Sequence, residues 1–220
     1  MKIHICNDNK EFPFLYVDDW YTPEEEELIW KELDFYTNPT TMHRAENDPT
    51  TGYHDDGTTM SESWRVHLDR SYSRREVSHI LRLQPLKVKS DEMQTAIDET
   101  GPNFRLYGLT NYDVMLINYY EGGDYYESHT DSNMMTIVCW FHRTPKAYTG
   151  GDVTFHDIDT ILECNHNRMV MFPSYYFHEV LPVKMKDKNL EMGWGRYAII
   201  NFFHKKNQYV RTGGNVNYAV

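Results

Sequence analysis

The sequence predicts a mainly β fold, a sandwich or jelly roll, with helices gathered ahead of it. Three observations lead there. From Tyr112 onward, short runs of β-branched and aromatic residues recur at roughly 8–12-residue spacing. Gly and Pro punctuate them, as in Gly122-Gly123, Gly150-Gly151 and Pro173. The first hundred residues instead carry helix-start signals.

In chain order, Phe12 to Val17 reads as a short strand. A helix follows, with Thr22 as N-cap, Pro23 at the first helical position and Glu24 to Glu27 in the first turn, where the helix dipole favours acids. Leu28, Ile29, Leu33 and Tyr36 supply its apolar face. Residues 37–62, rich in Thr, Asn, Asp, Gly and His, read as a long loop, too long to be idle in a compact domain. Trp64 to Asp69 is a candidate strand. Helices are expected at about 73–83 and, beyond Pro85, at about 90–99 with Ser90 as N-cap. After Gly101-Pro102-Asn103 the strands are expected at Tyr112–Tyr120, Met135–Phe141, Val153–Phe155, Arg168–Phe172, Phe177–Val183 and Arg196–Phe203. We therefore expect one domain: a mixed helical support over 1–103, a jelly-roll core over 104–204, and a polar, peripheral tail over 205–220.

Composition narrows the function classes. The 220 residues carry a net charge of −11, which opposes phosphate backbones and counts against a nucleic-acid partner. Mean hydropathy is −0.69, and no apolar run approaches the ~20 residues of a membrane helix. The first residues lack the apolar core of a secretory signal, so a cytoplasmic location is expected. Cys6, Cys139 and Cys164 form no CxxC pair and offer no thiolate zinc site.

The chemistry-bearing pattern is His-x-Asp, which places an imidazole and a carboxylate on one side of an extended segment. It occurs three times. His54-Asp55-Asp56 sits in a Gly/Asp/Thr loop with no strand behind it. His67-Leu68-Asp69 has no sign of a pocket nearby and reads as a solvated or satisfied pair. His129-Thr130-Asp131 differs. Tyr120, Gly123 and Tyr126 precede it, and His178 follows 47 residues after Asp131, just beyond Phe172-Pro173-Ser174. Two His and one carboxylate are the facial triad that leaves positions open on Fe(II).

With Gly150-Gly151-Asp152, Leu181-Pro182-Val183 and Arg196 added, this ordered set resembles the Fe(II)/2-oxoglutarate-dependent dioxygenases, in particular their prolyl-4-hydroxylase-like branch. The resemblance spans about residues 104–204 and implies a double-stranded β-helix core. It implies that His129, Asp131 and His178 bind Fe(II), and that Arg196 receives the far carboxylate of 2-oxoglutarate, with Tyr120 and Asn118 beside it. Arg suits that task because its fork grips a carboxylate and stays charged when desolvated. Tyr126 and Trp194 are expected to border the substrate pocket. O2 is the second cosubstrate, and ascorbate a possible support. One departure stands out: the cation follows the distal His by 18 residues rather than about ten. Lys188, at the shorter spacing, is the rival, and a hairpin extension over 184–194 would explain the gap. The implied reaction is hydroxylation of an unactivated C–H, foremost a prolyl side chain of a peptide or protein, with release of succinate and CO2. The alternatives are a nucleic-acid dealkylase (its Arg-x-Asn-x-x-x-Arg is broken at Ala198 and Phe202), a small-molecule or free amino-acid hydroxylase, and a non-catalytic jelly-roll module.

Overall fold

The computed structural model describes residues 1–206; most of the expected tail, 207–220, lies outside the described residues. Two short strands, β1 (Lys2–Cys6) and β2 (Phe14–Asp18), precede helix α1 (Pro23–Tyr36). The α1 start is a capping box: the Glu25 amide donates to the Thr22 hydroxyl, and the Thr22 amide donates to the Glu25 carboxylate. The stretch to Glu62 is mostly loop, holding only β3 (His43–Arg44) and β4 (Ser61–Glu62) as strand. Then come β5 (Trp64–His67) and the helices α2 (Leu68–Ser71), α3 (His79–Val88), α4 (Asp91–Thr100) and α5 (Arg105–Gly108).

The helix expected at 73–83 lies later in the chain. Ser78 caps α3 by accepting from the Leu81 amide, and the helix runs through Pro85 instead of stopping before it. Tertiary packing outweighs the missing amide of Pro85. Ile80, Leu81, Leu83 and Val88 are buried, and Gln84 accepts from Trp20 Nε1 and Tyr21 OH. Glu32 ties α1 to α3 by accepting from the Ser78 hydroxyl and the Ile80 amide. Ser90 caps α4 as expected.

The strands that follow are β6 (Tyr112–Tyr120), β7 (Tyr125–His129), β8 (Met135–Phe141), β9 (Tyr148–Gly150), β10 (Val153–Phe155), β11 (Thr160–Leu162), β12 (Arg168–Pro173), β13 (His178–Val180), β14 (Val183–Met185) and β15 (Arg196–His204). The single strand expected over Phe177–Val183 is split in two, with Leu181 and Pro182 between. An eight-stranded sheet has the order β1-β2-β12-β8-β15-β6-β5-β3, and a five-stranded sheet the order β11-β10-β13-β7-β4. The jelly roll expected from the sequence is present.

Alternation along the central strands of the large sheet explains why they are apolar throughout. Met115, Ile117 and Tyr119 of β6, Ile137 and Cys139 of β8, and Tyr197 and Ile199 of β15 pack with Ile29, Leu33, Ile80 and Ile97 of the helices. The intervening residues Tyr120, Val138, Trp140 and Ala198 join Val153, Phe155 and Val180 of the small sheet in a second core. The large sheet is thus buried on both faces. Its second face also bounds a cavity of about 890 Å³ between the sheets.

Candidate active site

β7 and β13 pair antiparallel with His129 opposite His178, and a register shift between His178 and Val180 marks an irregularity beside the site. Asp131 lies two residues beyond the end of β7, where its amide donates to the Ser174 carbonyl. The ligand atoms of His129, Asp131 and His178 all lie within 4.8 Å of one another. Each His Nε2 stands 3.7 Å from an Asp131 carboxylate oxygen.

Neighbouring groups fix the orientation of all three. His129 Nδ1 is 2.7 Å from the Glu127 carbonyl, and His178 Nδ1 is 2.9 Å from the Tyr176 carbonyl. A carbonyl only accepts, so Nδ1 carries the proton and the Nε2 lone pair is free. The Thr136 hydroxyl donates to Asp131 Oδ2 at 2.6 Å and meets Ser174 Oγ at 2.9 Å. Tyr126 stacks on His129, with ring centroids 3.7 Å apart.

Burial, foremost, lowers both His pKa values to about 4, with a smaller contribution at His129 from its neighbour His178. Burial also raises that of Asp131. The imidazoles are therefore neutral at pH 7, and their 3.7 Å approaches to Asp131 are not ion pairs. Two neutral lone pairs and a carboxylate, with no donor hydrogen between them, suit a divalent cation. Bonds of about 2.0–2.2 Å span such separations.

Arg196 opens β15 opposite Tyr120 and is 1% exposed. Its guanidinium lies 4.8 Å from the Tyr120 ring centroid, and its Nη2 donates to Cys164 Sγ at 3.4 Å. Nε and Nη1 are buried without a partner. A buried cation with no counter-charge fits a ligand anion. Asn118 shares the face, donating to the Tyr120 hydroxyl at 3.2 Å while its own Oδ1 is unpartnered. Gly151 makes room: with φ +74°, a Cβ there would lie 2.8 Å from Arg196 Cδ.

The structure brings His129, Asp131, His178, Arg196, Tyr120, Asn118 and Tyr126 to one cavity. It separates Trp194 from them. Trp194 borders a second cleft with Trp30, Arg143 and His166. Residues 193–195 are a turn rather than the start of β15, and the Tyr119 hydroxyl, on the helix-facing side of β6, accepts from the Gly193 and Gly195 amides. Lys188 is exposed and outside the cavity. The 184–194 insertion is no hairpin of its own, since β14 pairs with β9.

The His67 segment also differs from expectation. Both His67 and Asp69 are satisfied, by Asp48 and by the Met115 amide, yet both line the main cavity. Sequence reasoning passed over Thr136 and Arg65 as site residues. Thr136 shared a readable signal, its place on the same β8 face as Val138 and Trp140. No helix among the described residues is long and apolar enough to cross a membrane.

Residues 114–204 match the family model described as the 2OG-Fe(II) oxygenase superfamily, over the segment that holds the ordered motifs. The fold is also similar to solved structures. A prolyl-4-hydroxylase from Pseudomonas putida superposes with a TM-score of 0.57 at 14% identity, over 88% of this chain and 93% of that one. A collagen prolyl hydroxylase of Paramecium bursaria Chlorella virus-1 gives 0.51 at 12% identity, over 91% and 98%. A 2OG-Fe(II) oxygenase family oxidoreductase from Burkholderia pseudomallei gives 0.52 at 14% identity, over 88% and 86%. No curated protein sequence matches the chain.

Proposed function

We propose that this protein is an Fe(II)- and 2-oxoglutarate-dependent hydroxylase of an unactivated C–H bond, acting on a prolyl or other side chain of a peptide or protein. One observation carries the reading: a donor set ready for a metal and a buried, unpaired arginine share one cavity. His129, Asp131 and His178 hold the metal. Arg196 binds the far carboxylate of 2-oxoglutarate, with Tyr120 and Asn118 at its side. Iron with 2-oxoglutarate and O2 supplies the oxidation; one oxygen atom goes to the substrate and one to succinate, with loss of CO2.

The chain's own part is positional. The backbone carbonyls of Glu127 and Tyr176 hold the two imidazoles in the ligating tautomer, and Thr136 turns the Asp131 carboxylate. Apolar walls from Val138, Trp140, Val170 and Phe172 keep the interior dry. The loop of residues 37–62 supplies Thr50, Thr51, Gly52 and Met60 to the cavity, which gives an extended substrate a wall to lie against. The prolyl preference rests on the motif resemblance and on the named substrates of two fold relatives.

The test is succinate formation from 2-oxoglutarate by purified protein with Fe(II), ascorbate and a proline-rich peptide pool. Turnover that vanishes in His129→Ala and Arg196→Ala, with an oxygen-atom mass gain in a peptide, is expected. A wild type that binds no 2-oxoglutarate in the presence of Mn(II) overturns the reading.

A further inference from the structure

The cavity contains a second buried guanidinium, for which neither the metal nor 2-oxoglutarate has a use. Arg65 of β5 is 3% exposed and lines the cavity. It pairs in register with Asn118 of β6, while Arg196 pairs with Tyr120 from the other side of the same strand. The backbones of the two arginines therefore flank β6, two strand spacings apart and offset by two residues along it, about 12 Å in all. A molecule of 2-oxoglutarate held by Arg196 does not occupy both.

Within the protein, Arg65 is only partly satisfied. Nη1 donates to the Thr51 hydroxyl at 2.8 Å, and among the described residues no other nitrogen of the group is hydrogen-bonded; Nε is buried without a partner there. The fully buried Asp48 carboxylate stands 3.8 Å from Nη1, an ion pair without a hydrogen bond. Asp48 is already saturated. Its Oδ2 meets His67 Nε2 at 2.5 Å and His43 Nε2 at 3.1 Å, and its Oδ1 accepts from the Thr50 amide and hydroxyl. Both histidine contacts are within hydrogen-bond distance, and the one to His67 is shorter than two ligands of a common metal ion would allow. They lock the wall against which Arg65 rests and leave Nη2 without a partner among the described residues, free for a charge-assisted hydrogen bond to a carboxylate.

Resting on the hydroxylase reading, we infer that the prime substrate carries a carboxylate near the carbon to be hydroxylated, and that Arg65 holds it. The source is a free amino or imino acid, or an acidic residue beside the target in a peptide.

The experiment uses protein loaded with Mn(II) and 2-oxoglutarate, and reads the Mn(II)-enhanced proton relaxation of added ligands. The probes are free L-amino acids including proline, their carboxamides, and capped peptides with Pro beside Asp or Glu. We expect an acid to bind near the metal and its amide to fail. Arg65→Gln and Arg65→Lys should weaken the acid by about tenfold or more, the scale of a lost charge-assisted contact, while the 2-oxoglutarate affinity holds. Binding by the free acids alone, or by the acidic peptides alone, identifies the source. Equal binding of acids and amides, no acid bound, or acid affinity intact in both variants overturns the inference. So does a loss of 2-oxoglutarate affinity in the Arg65 variants. Failure of the wild type to bind 2-oxoglutarate at all brings down the hydroxylase reading itself.

Discussion

Replacing Arg196 with Met should make the ligand-free protein more stable and destroy its response to 2-oxoglutarate. The side chain is 1% exposed, and among the described residues its only hydrogen bond is to the Cys164 sulfur and two of its nitrogens have no partner. Removing an ion of this size from water costs several kcal/mol. The Tyr120 ring returns about 2 kcal/mol as a desolvated cation–π contact, and Trp140, at 6.0 Å, returns less. Met fills a similar volume without a charge, and such replacements stabilise by about 1–4 kcal/mol. Taking about 2 kcal/mol, and ~2–4 °C per kcal/mol for a chain of this length, Tm should rise by about 4–8 °C. The assay is thermal unfolding with Mn(II), with and without 2-oxoglutarate. At 100 times its Kd the ligand adds ~2.7 kcal/mol to the wild type. In the variant it should add nothing. A variant that melts lower than wild type when ligand-free refutes the unpaired-cation argument; one that still gains stability from 2-oxoglutarate refutes the role of Arg196.

Three further outcomes are expected. Thr136→Val removes the hydroxyl that donates to Asp131 Oδ2, and metal affinity by titration should fall ~10–100-fold with the fold intact by circular dichroism. Gly151→Ala forces a Cβ against Arg196 Cδ at a positive φ; it should cost about 1–2 kcal/mol in denaturant unfolding and weaken 2-oxoglutarate binding as well. His178 has a folded pKa of about 4 against an unfolded value near 6.5. The unfolded state therefore binds more protons between those values, so the contribution of His178 to metal-free stability is complete above pH 6.5 and lost as pH falls toward 4. The loss is ~3 kcal/mol at most, and the raised pKa of Asp131 opposes it. Urea titrations of wild type and His178→Gln from pH 7 to 4 should show the shallower slope in the variant.

The parts of the fold written in local signals were legible. Thr22-Pro23-Glu24-Glu25 announced α1 because capping is a matter of four consecutive residues. The strands β6, β8 and β15 appeared as long apolar runs because both of their faces are buried. What failed were segments whose conformation is decided at a distance. Pro85 reads as a helix stop until Trp20 and Tyr21 are seen bonding Gln84 within the same turn. The three-residue strands β9 and β11 lack enough pattern to stand above turn residues. Trp194 looked like a pocket residue because it lies two residues before Arg196, but β15 begins only at Arg196 and the preceding turn carries Trp194 to another cleft.

The same reasoning separates the two arginines. Arg196 was readable as a site residue because it lies in an ordered motif and opens an evident strand. Arg65 lies in a short strand between a polar loop and a one-turn helix, and nothing local marks it. Its meaning comes from β5 pairing with β6, which sets Arg65 beside Asn118, and from Asp48, 17 residues earlier, being fully engaged by His43, His67 and Thr50. An acidic chain that buries two incompletely paired arginines in one cavity pays for both in stability. Arg196, with no carboxylate beside it among the described residues, carries the larger desolvation penalty until an anion arrives, whereas Arg65 shares the buried Asp48 at 3.8 Å, and the anion proposed for it must meet the nitrogens that Asp48 and Thr51 leave free.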